Sequence, residues 1–382
     1  MGIRSMRNLS LLLLLLASWT VLQANPLIRS TFNGETTVES LGSDPGASAD
    51  VIEQRLRALE SEIDLKYTKE VRGVIDNFLK TGHGRKRVAS LLMMGSYYFP
   101  IFERALEEAG LPAELKFLPV IESGLNPKAT SPVGAGGLWQ FMPATAKGYD
   151  LKIDSKIDER NDPYLSSRKA CEFLKKQYGR FGDWTLALAA YNAGPGTVQS
   201  AIQRAGGGSK HTFWTIKKYL PAETQHYVPK FIAMTYVLSY YAAHNIPEIN
   251  IASPLTSDTV QISENTSISK ISAKVNVSVD DLKRLNPHFR TDVIAGSVSR
   301  PCTLVLPSEN AYSYKKSLGR HVDERHYAQR QQSVKAKNSE IKVDDKSAKR
   351  KDTWDDYAYE SVPSKTMPGV YVRVPRGNNK NK

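Results

Sequence analysis

The spacing of apolar residues between residues 51 and 246 is the feature that most limits how this chain can fold. In its first part, residues 51–80, apolar side chains recur at steps of three and four residues: Ile52, Leu56, Leu59, Ile63, Tyr67, Val71, Val74 and Phe78. These steps place the side chains on one face of an α-helix and predict a single long amphipathic helix there. No run within residues 51–246 alternates with a period of two, so we predict a mainly α domain.

Glycine and proline residues divide the rest of this region into shorter helices. One predicted helix covers Phe99 to Ala109 and ends at Gly110 and Pro112. The other predicted helices cover Pro163 to Tyr178, Thr185 to Tyr191 and Thr224 to Ala243. We therefore divide the region into an N-terminal helical part, residues 51–94, and a helical domain, residues 95–250.

A second, smaller unit is predicted after Pro254, where the composition changes. Two short strands are predicted to enclose two short helices, in the order Thr259 to Ile262, Ser267 to Lys274, Val279 to Leu285 and Thr303 to Leu306. A βααβ unit of this size, residues 255–308, is too small to hold much chemistry. We therefore expect a small α+β binding module.

The first 24 residues have the layout of a secretory signal peptide. Arg4 and Arg7 precede an apolar run, Leu9 to Trp19, and the small residue Ala24 precedes a possible cleavage point. The apolar stretch is shorter than the roughly 20 residues of a membrane-spanning helix, which favours cleavage over a retained anchor. No cysteine lies near the cut, so we expect no N-terminal lipid anchor. The sequence predicts an exported protein of the periplasm or cell envelope.

The positive charge of the chain is concentrated towards its C-terminal end. Lysine and arginine exceed aspartate and glutamate by 52 to 39, a net charge of +13, and residues 318–382 hold 15 of the basic and 9 of the acidic residues. We interpret residues 318–382 as a basic, solvated and mostly disordered tail, and the Ser-, Thr- and Gly-rich residues 25–50 as a linker. Export makes nucleic acid a poor partner, so the charge favours peripheral association with the envelope or a membrane surface.

Glu122 and the loop that follows it are the strongest candidates for chemistry. Glu122 comes after the apolar run Phe117 to Ile121, and a carboxyl group at the end of a buried helix is suited to act as a general acid. Spacing alone also allows a solvated glutamate at a helix end. A glycine-rich stretch, residues 134–137, then leads to the side chains Trp139, Gln140, Phe141 and Met142. Rings, an amide and a thioether are a common composition in a sugar-binding cleft.

Four motifs in order resemble the signatures of soluble-lytic-transglycosylase (SLT) domains. They are Glu122-Ser123, Gly137 to Pro143 with Thr145-Ala146, Ala190 to Gly196, and Glu223 to Pro229. One motif alone would be weak, but four in order make a specific match. The resemblance implies a mainly α, lysozyme-like catalytic domain. It also implies cleavage of the MurNAc–GlcNAc β-1,4 bond of peptidoglycan without water, leaving a 1,6-anhydro-MurNAc end, and no cofactor.

The resemblance also implies a role for each matching position. Glu122 would be the single catalytic acid/base, which protonates the leaving oxygen and then takes the proton of the C6 hydroxyl group. The positions implied to contact substrate are Ser131, Gln140, Met142, Tyr191, Asn192 and Tyr227. Trp139 departs from the pattern, because many members have methionine there. We expect this departure to change sugar stacking rather than the chemistry.

The acidic residues near Glu122 bear on the type of cleavage. Ordinary glycosidases use two carboxylates, whereas residues 122–143 contain only Glu122. The nearest acids downstream are Asp150, Asp154, Asp158 and Glu159. This favours a one-carboxylate mechanism assisted by the substrate's N-acetyl group. A hydrolytic muramidase on the same fold and a wall-binding protein with a degenerate site stay open.

Residues 268–287 resemble the helix pair of a LysM domain, and Leu304 to Pro307 resembles its closing strand. The turn Ser263 to Thr266 is atypical, since a Gly-Asp-Thr-Leu-like sequence is usual there. The LysM family binds GlcNAc-containing chains, so the module is either a glycan tether or a structural cap. With this module the chain resembles the D-type membrane-bound lytic murein transglycosylases, whose partner is the peptidoglycan glycan strand. The oligomeric state is left open.

The histidines and cysteines give no sign of a metal site. None of the seven histidines has a ligand spacing with cysteine or an acidic residue, so we expect no metal. His226, next to Tyr227, lies either in the cleft or on a helix surface. Cys171 and Cys302 are the two cysteines, and a bridge between them would require close Cα atoms.

Overall fold

The computed structural model describes residues 47–208, 210–246 and 257–319, together with the backbone of residues 359–363 and 371–375. The predicted signal peptide, nearly all of the predicted linker and most of the predicted tail lie outside these residues. The chain divides into two compact units: one of Met1–Ala89, Gly110–Ile121 and Glu172–Glu248, the other of Ser90–Ala109, Glu122–Cys171 and Ile249–Lys382.

The described residues from 47 to 246 are mainly helical, which confirms the predicted mainly α region. The helices are α1 Ala49–Arg57, α2 Lys69–Leu79, α3 Gly82–Ala109, α4 Leu118–Ser123, α5 Pro143–Gly148, α6 Pro163–Phe181, α7 Trp184–Ala193, α8 Pro195–Arg204, α9 Phe213–Ile216 and α10 Ala222–Ser239. Single 3-10 turns lie at Ala113–Phe117, Glu159–Asn161, Lys217–Tyr219 and Ala242–His244.

The single long helix predicted over residues 51–80 is wrong. The segment forms two helices, α1 and α2, and the chain leaves α1 through Glu60, whose φ of 48° is left-handed. Leu59 and Ile63 are buried in the connection, so the three- and four-residue spacing continues through a stretch that is not helical. A new helix begins after Thr68, whose side chain accepts a hydrogen bond from the Val71 amide.

The other predicted helices are present with shifted ends. Helix α3 ends at Ala109 as predicted, before Gly110 with a φ of 66°, but it begins at Gly82 rather than Phe99. Helices α6 and α7 extend a few residues beyond their predicted ends. Helix α10 ends at Ser239, and the predicted continuation to Ala243 is a separate 3-10 turn.

Helix α10 is the core of the first unit. Nearly all of its residues from Tyr227 to Leu238 are buried, and it packs against α2 and α7. A helix that is apolar on all sides belongs inside a domain. Arg55 of α1 is also buried there, and its Nη1 donates to the Tyr236 hydroxyl group at 3.0 Å. Burial raises the pKa of the Tyr236 hydroxyl group, although Arg55 opposes this shift.

The second unit contains the predicted βααβ module. Its elements are β1 Ser257–Ile262, β2 Asn265–Ser267, α11 Ile268–Val275, α12 Val279–Leu285, β3 Val293–Ala295, β4 Cys302–Pro307 and α13 Ser308–Ser317. Strands β1 and β4 pair antiparallel, with Val260 opposite Leu304, and every residue of β4 is buried. The two predicted strands and two predicted helices are confirmed. The short β2–β3 pair and α13 are additional.

Two further strands, β5 Tyr359–Pro363 and β6 Tyr371–Pro375, form an antiparallel pair near the C-terminal end. Strand β6 overlaps the stretch Gly-Val-Tyr-Val-Arg-Val of residues 369–374. Cys171 and Cys302 are both buried and are not joined to each other. In the ranges that the structure describes, no helix is long and apolar enough to cross a membrane.

Candidate active site

Glu122 lies at the C-terminal end of the short helix α4 and is half-buried. The residues before it from Phe117 to Val120 are buried, with Phe117 2% and Leu118 0% exposed. The helix ends directly after Ser123, because Gly124 and Leu125 take left-handed φ values of 61° and 63°. The expected position of Glu122, at the end of an apolar helix, is therefore the observed one.

The residue after Glu122 ties the helix end to the glycine-rich loop. The Ser123 hydroxyl group donates to the Leu138 carbonyl oxygen at 2.9 Å. This bond lies one residue from the candidate catalytic carboxyl group and within the motif segment Gly137 to Pro143. The first two of the four sequence motifs are therefore in direct contact.

The loop of residues 129–141, which we call the motif loop, closes on itself through the side chains of Ser131 and Gln140. The Ser131 hydroxyl group accepts from the Ala135 amide at 3.0 Å. The Gln140 amide nitrogen donates to the carbonyl oxygens of Gly137 at 2.8 Å and Ala129 at 3.3 Å. Gln140 also has a left-handed φ of 49°, which is unusual for a residue other than glycine. Both side chains therefore shape the loop, whatever else they contact.

The motif loop lies directly on Arg160, a residue that the sequence reasoning did not identify. A Cβ atom added to Gly137 would be 1.9 Å from the Arg160 carbonyl oxygen, and one added to Gly136 would be 2.7 Å from the Arg160 Cζ. Gly137 also has a φ of 81°. Only glycine fits such a close approach of two backbones.

The Arg160 guanidinium group holds the start of the glycine-rich stretch and the end of the motif loop. Its Nη1 donates to the carbonyl oxygens of Gly134 at 2.6 Å and Phe141 at 3.0 Å. Its Nε and Nη2 donate to the two oxygens of Asp158 at 2.9 and 2.8 Å, and both side chains are buried. The sequence offers one signal for Arg160, the charged run Asp158-Glu-Arg-Asn-Asp162. Buried carbonyl oxygens of a loop need hydrogen-bond donors, and an arginine in such a run can supply them.

Asp158 is held as a carboxylate by this arrangement. Burial is the largest influence on the pKa of the Asp158 carboxyl group and acts to raise it. Hydrogen bonds and positive charge from Arg160, together with the charge of Arg290, outweigh burial and hold the pKa below its ordinary value. Asp158 is thus a charged, structural residue near neutral pH.

Two other acids downstream of Glu122 also hold backbone in place. An Asp154 oxygen accepts from the amides of Lys156 and Ile157 at 2.7 and 2.9 Å. A Glu159 oxygen accepts from the Lys152 amide at 2.6 Å and from Arg300 at 3.1 Å. With Asp158, three of the four downstream acids therefore act as structural anchors.

Met142 and Trp139, two apolar residues of the second motif, differ sharply in exposure. Met142 is 41% exposed at the start of α5, so its thioether is available to a ligand. Trp139 is 0% exposed, and its Nε1 donates to the Ser167 hydroxyl group at 2.9 Å. Its ring also packs edge-on against Phe102, with centroids 5.3 Å apart. The expectation that Trp139 alters sugar stacking is wrong, because the ring is part of the core.

The third and fourth motifs are joined to each other in the first unit. Asn192 lies near the end of α7, and its side-chain oxygen accepts from the Thr224 hydroxyl group of α10 at 2.7 Å. Tyr191, half-buried, packs edge-on against Phe173 with centroids 5.2 Å apart. Tyr227 is buried on α10, at 7% exposed. The structure therefore brings Asn192 together with the helix that carries Tyr227.

Lys230 connects α10 to the residue before Glu122. Its Nζ donates to the Ile121 carbonyl oxygen at 3.4 Å. One turn earlier on α10, His226 is 72% exposed and contacts Glu70, which also pairs with Lys217. This is a surface ion cluster, in agreement with the helix-surface interpretation of His226. Among the described residues, no group of three or more His, Cys, Asp or Glu is arranged to hold a metal ion.

Two known domain families match parts of this chain. Residues 99–214 match the transglycosylase SLT domain, and residues 256–322 match the LysM-like domain of lytic transglycosylase MltD. The chain carries an SLT domain and an MltD-type LysM-like domain. The SLT match covers Glu122, the motif loop and the third motif, whereas α10 with Tyr227 lies beyond it. The domain boundaries at residues 95–250 and 255–308 stay predictions.

Two relatives from Escherichia coli K12 illustrate the likeness. The chain is 32% identical to membrane-bound lytic murein transglycosylase D over 220 residues, which cover 56% of this chain and 47% of that protein. It is 33% identical to the soluble lytic murein transglycosylase over 125 residues, covering 31% of this chain and 19% of that protein. The chain thus aligns with about half the length of the first relative.

Among solved structures, the 70 kDa soluble lytic transglycosylase Slt70 from Escherichia coli is similar to this chain. The match has 23% sequence identity and a TM-score of 0.33, and it covers 50% of this chain and 33% of that chain.

Proposed function

We propose that this chain is a lytic transglycosylase that cleaves the MurNAc–GlcNAc β-1,4 bond of peptidoglycan and leaves a 1,6-anhydro-MurNAc end. The observation that carries the proposal is Glu122 at the end of α4, tied through Ser123 to the motif loop within the SLT match. A carboxyl group fixed at a helix end beside such a loop is suited to proton transfer to a bound sugar.

In the proposed reaction Glu122 acts twice. Its carboxyl group first donates a proton to the glycosidic oxygen as the bond from C1 to that oxygen breaks. The resulting carboxylate then takes the proton of the C6 hydroxyl group, whose oxygen forms the new bond to C1. Glu122 returns to its starting state and no water is consumed. The reaction therefore needs no cofactor, because one carboxyl group carries every proton.

The engagement of the nearby acids supports a single catalytic carboxyl group. An inverting or retaining hydrolase needs a second carboxylate as base or nucleophile. Asp158 is paired with Arg160, and Asp154 and Glu159 hold backbone amides. With these acids committed elsewhere, the substrate's N-acetyl group is the proposed means of stabilising the positive charge that develops at C1.

The residues proposed to contact substrate fall into two groups, one in or next to the motif loop and one on helices α7 and α10. Ser131 and Gln140 fix the shape of the motif loop, and Met142 is exposed at its end. The remaining proposed contacts are Tyr191, Asn192 and Tyr227 on α7 and α10. We propose peptidoglycan glycan strands as the partner, which places the protein in the cell envelope and requires its export.

Digestion of purified sacculi followed by mass spectrometry of the glycan ends tests the reaction type. We expect 1,6-anhydro-MurNAc ends. Reducing MurNAc ends would show a hydrolytic muramidase instead, and retention on sacculi without new ends would show a wall-binding protein.

The assignment of Glu122 is tested by Glu122→Gln in the same digestion. We expect activity to fall by about a thousandfold or more, because the amide cannot donate the proton. Glu107→Gln is the matched control, since Glu107 is an exposed helical glutamate of α3. Full activity in Glu122→Gln would remove Glu122 from the mechanism.

A further inference from the structure

The segment of residues 156–158, which we call the bridging segment, is part of the LysM-like domain's fold. It pairs antiparallel with residues 288–290, with Ile157 opposite Phe289. The Asp158 amide donates to the His288 carbonyl oxygen, and the Arg290 amide donates to the Lys156 carbonyl oxygen, both at 2.8 Å.

The Ile157 side chain of the bridging segment lies in the apolar core of the LysM-like domain. Ile157 is 4% exposed and belongs to one buried cluster with Val260, Ile294, Leu304 and other residues of the module. The bridging segment therefore behaves as an extra strand of the module, although it precedes the module by about 100 residues in the sequence.

The same segment carries the carboxylate that fixes the motif loop. Asp158 binds Arg160 through both oxygens, and Arg160 in turn binds the Gly134 and Phe141 carbonyl oxygens. Arg290, a residue of the module, donates from Nη2 to Asp158 Oδ2 at 2.7 Å, the oxygen that also accepts from Arg160 Nη2. The Arg290 Nη1 donates to the Asp154 carbonyl oxygen at 2.9 Å. A continuous series of charge-assisted hydrogen bonds thus joins the LysM-like domain to the motif loop.

We propose that Arg290 is a positioning residue for glycosidic-bond cleavage, acting through Asp158 and Arg160 on the motif loop that carries Gln140. The proposal rests on the proposed function of the SLT domain. It gives the LysM-like domain a role in the rate of the chemical step, separate from any tethering of glycan. Small displacements of a positioned group are enough to reduce catalysis strongly.

A glycan tether affects retention on sacculi, whereas a positioning residue affects kcat. A tether raises the local concentration of insoluble wall, so its loss weakens retention on sacculi and leaves turnover of short soluble strands unchanged. Loss of a positioning residue lowers kcat on soluble strands and leaves retention unchanged. Assays on soluble glycan strands and on sacculi therefore separate the two roles.

The experiment compares full-length Arg290→Ala, Arg290→Lys and Lys283→Ala. We expect Arg290→Ala to lower kcat on soluble strands on the order of tenfold, with KM and co-sedimentation with sacculi unchanged. Arg290→Lys should restore part of kcat, because it keeps a charge near Asp158. Lys283 is an exposed residue of α12, so Lys283→Ala should match the wild type.

Hydrogen exchange gives a readout that does not depend on activity. Within the motif loop, the Gly136 amide donates to the Phe141 carbonyl oxygen at 3.0 Å, and the Phe141 amide donates to the Gly136 carbonyl oxygen at 3.1 Å. We expect these amides to exchange faster in Arg290→Ala than in the wild type. If the wild type cleaves no glycan, the proposed function fails, whereas the exchange experiment still tests the connection. If Arg290→Ala does not fold, Arg290→Lys takes its place in both measurements.

Two results would overturn the proposal. One is an Arg290→Ala protein with unchanged kcat and unchanged exchange of the loop amides. The other is a protein that loses only its co-sedimentation with sacculi, which would leave the LysM-like domain as a tether alone.

Discussion

The motif loop and helix α10 both carry proposed substrate contacts, but different forces hold them in place. The motif loop depends on glycine backbone conformations and on the buried pair Arg160–Asp158. Helix α10 is buried along most of its length among apolar side chains. Directional contacts tolerate little displacement, whereas apolar packing tolerates conservative exchanges. The loop should therefore be far more sensitive to single substitutions than the helix.

The largest expected effect is at Gly137 of the motif loop. Gly137→Ala places a Cβ atom 1.9 Å from the Arg160 backbone oxygen at a φ of 81°, so backbone must move. We expect a loss of about 4–5 kcal/mol of unfolding free energy, together with the loss of glycan cleavage. Urea denaturation followed by circular dichroism measures the first quantity.

The control for this substitution is Gly148→Ala. Gly148 ends helix α5 and has open space around its Cα atom. We expect its stability to change by less than about 1 kcal/mol. Equal effects at Gly137 and Gly148 would show that the loop does not need its close approach to Arg160.

The second effect, at Asp158, depends on pH. The folded-state pKa of Asp158 is below its ordinary value, so its contribution to stability is present above the ordinary pKa. This contribution is lost as the pH falls through the folded-state value. Asp158→Asn should cost about 3 kcal/mol at pH 7, because it leaves Arg160 buried without its charge partner.

The difference between wild type and Asp158→Asn should shrink below about pH 4, as the wild-type carboxylate becomes protonated. Urea denaturation at a series of pH values measures it. A difference that stays constant from pH 7 to the acid range would mean that the charge of Asp158 does not stabilise the fold.

The difference between the two regions also explains what the sequence could predict. Periodicity and the positions of glycine and proline predicted α6, α7, α10 and the βααβ module to within a few residues, whereas α3 begins 17 residues before its predicted start. The break between α1 and α2 was missed, because Leu59 and Ile63 keep a helical spacing across a non-helical connection. Periodicity reports which residues are buried, and burial alone does not require a helix.

The network around the motif loop was not predictable in the same way. The sequence marks Arg160 only by the charged run Asp158 to Asp162, and the role of Arg160 depends on which carbonyl oxygens the folded loop turns towards it. Arg290 is about 130 residues from Asp158 in sequence, and its contact exists only because the bridging segment enters the module. Trp139 illustrates the opposite error, since a residue within a recognised motif belongs to the core.

The smallest expected effect is Ile232→Val in helix α10. Ile232 is fully buried, and the loss of one methylene group should cost about 1 kcal/mol of unfolding free energy. This cost should be the same at pH 4 and pH 7, because no charged group is removed. The yield of cleaved glycan ends should stay at the wild-type level.

Val298→Ala, at a side chain 88% exposed, controls for the loss of an apolar group without burial. If Ile232→Val reduced cleavage as strongly as Gly137→Ala, helix α10 would need the same exact geometry as the loop. The contrast between directional and apolar support would then fail.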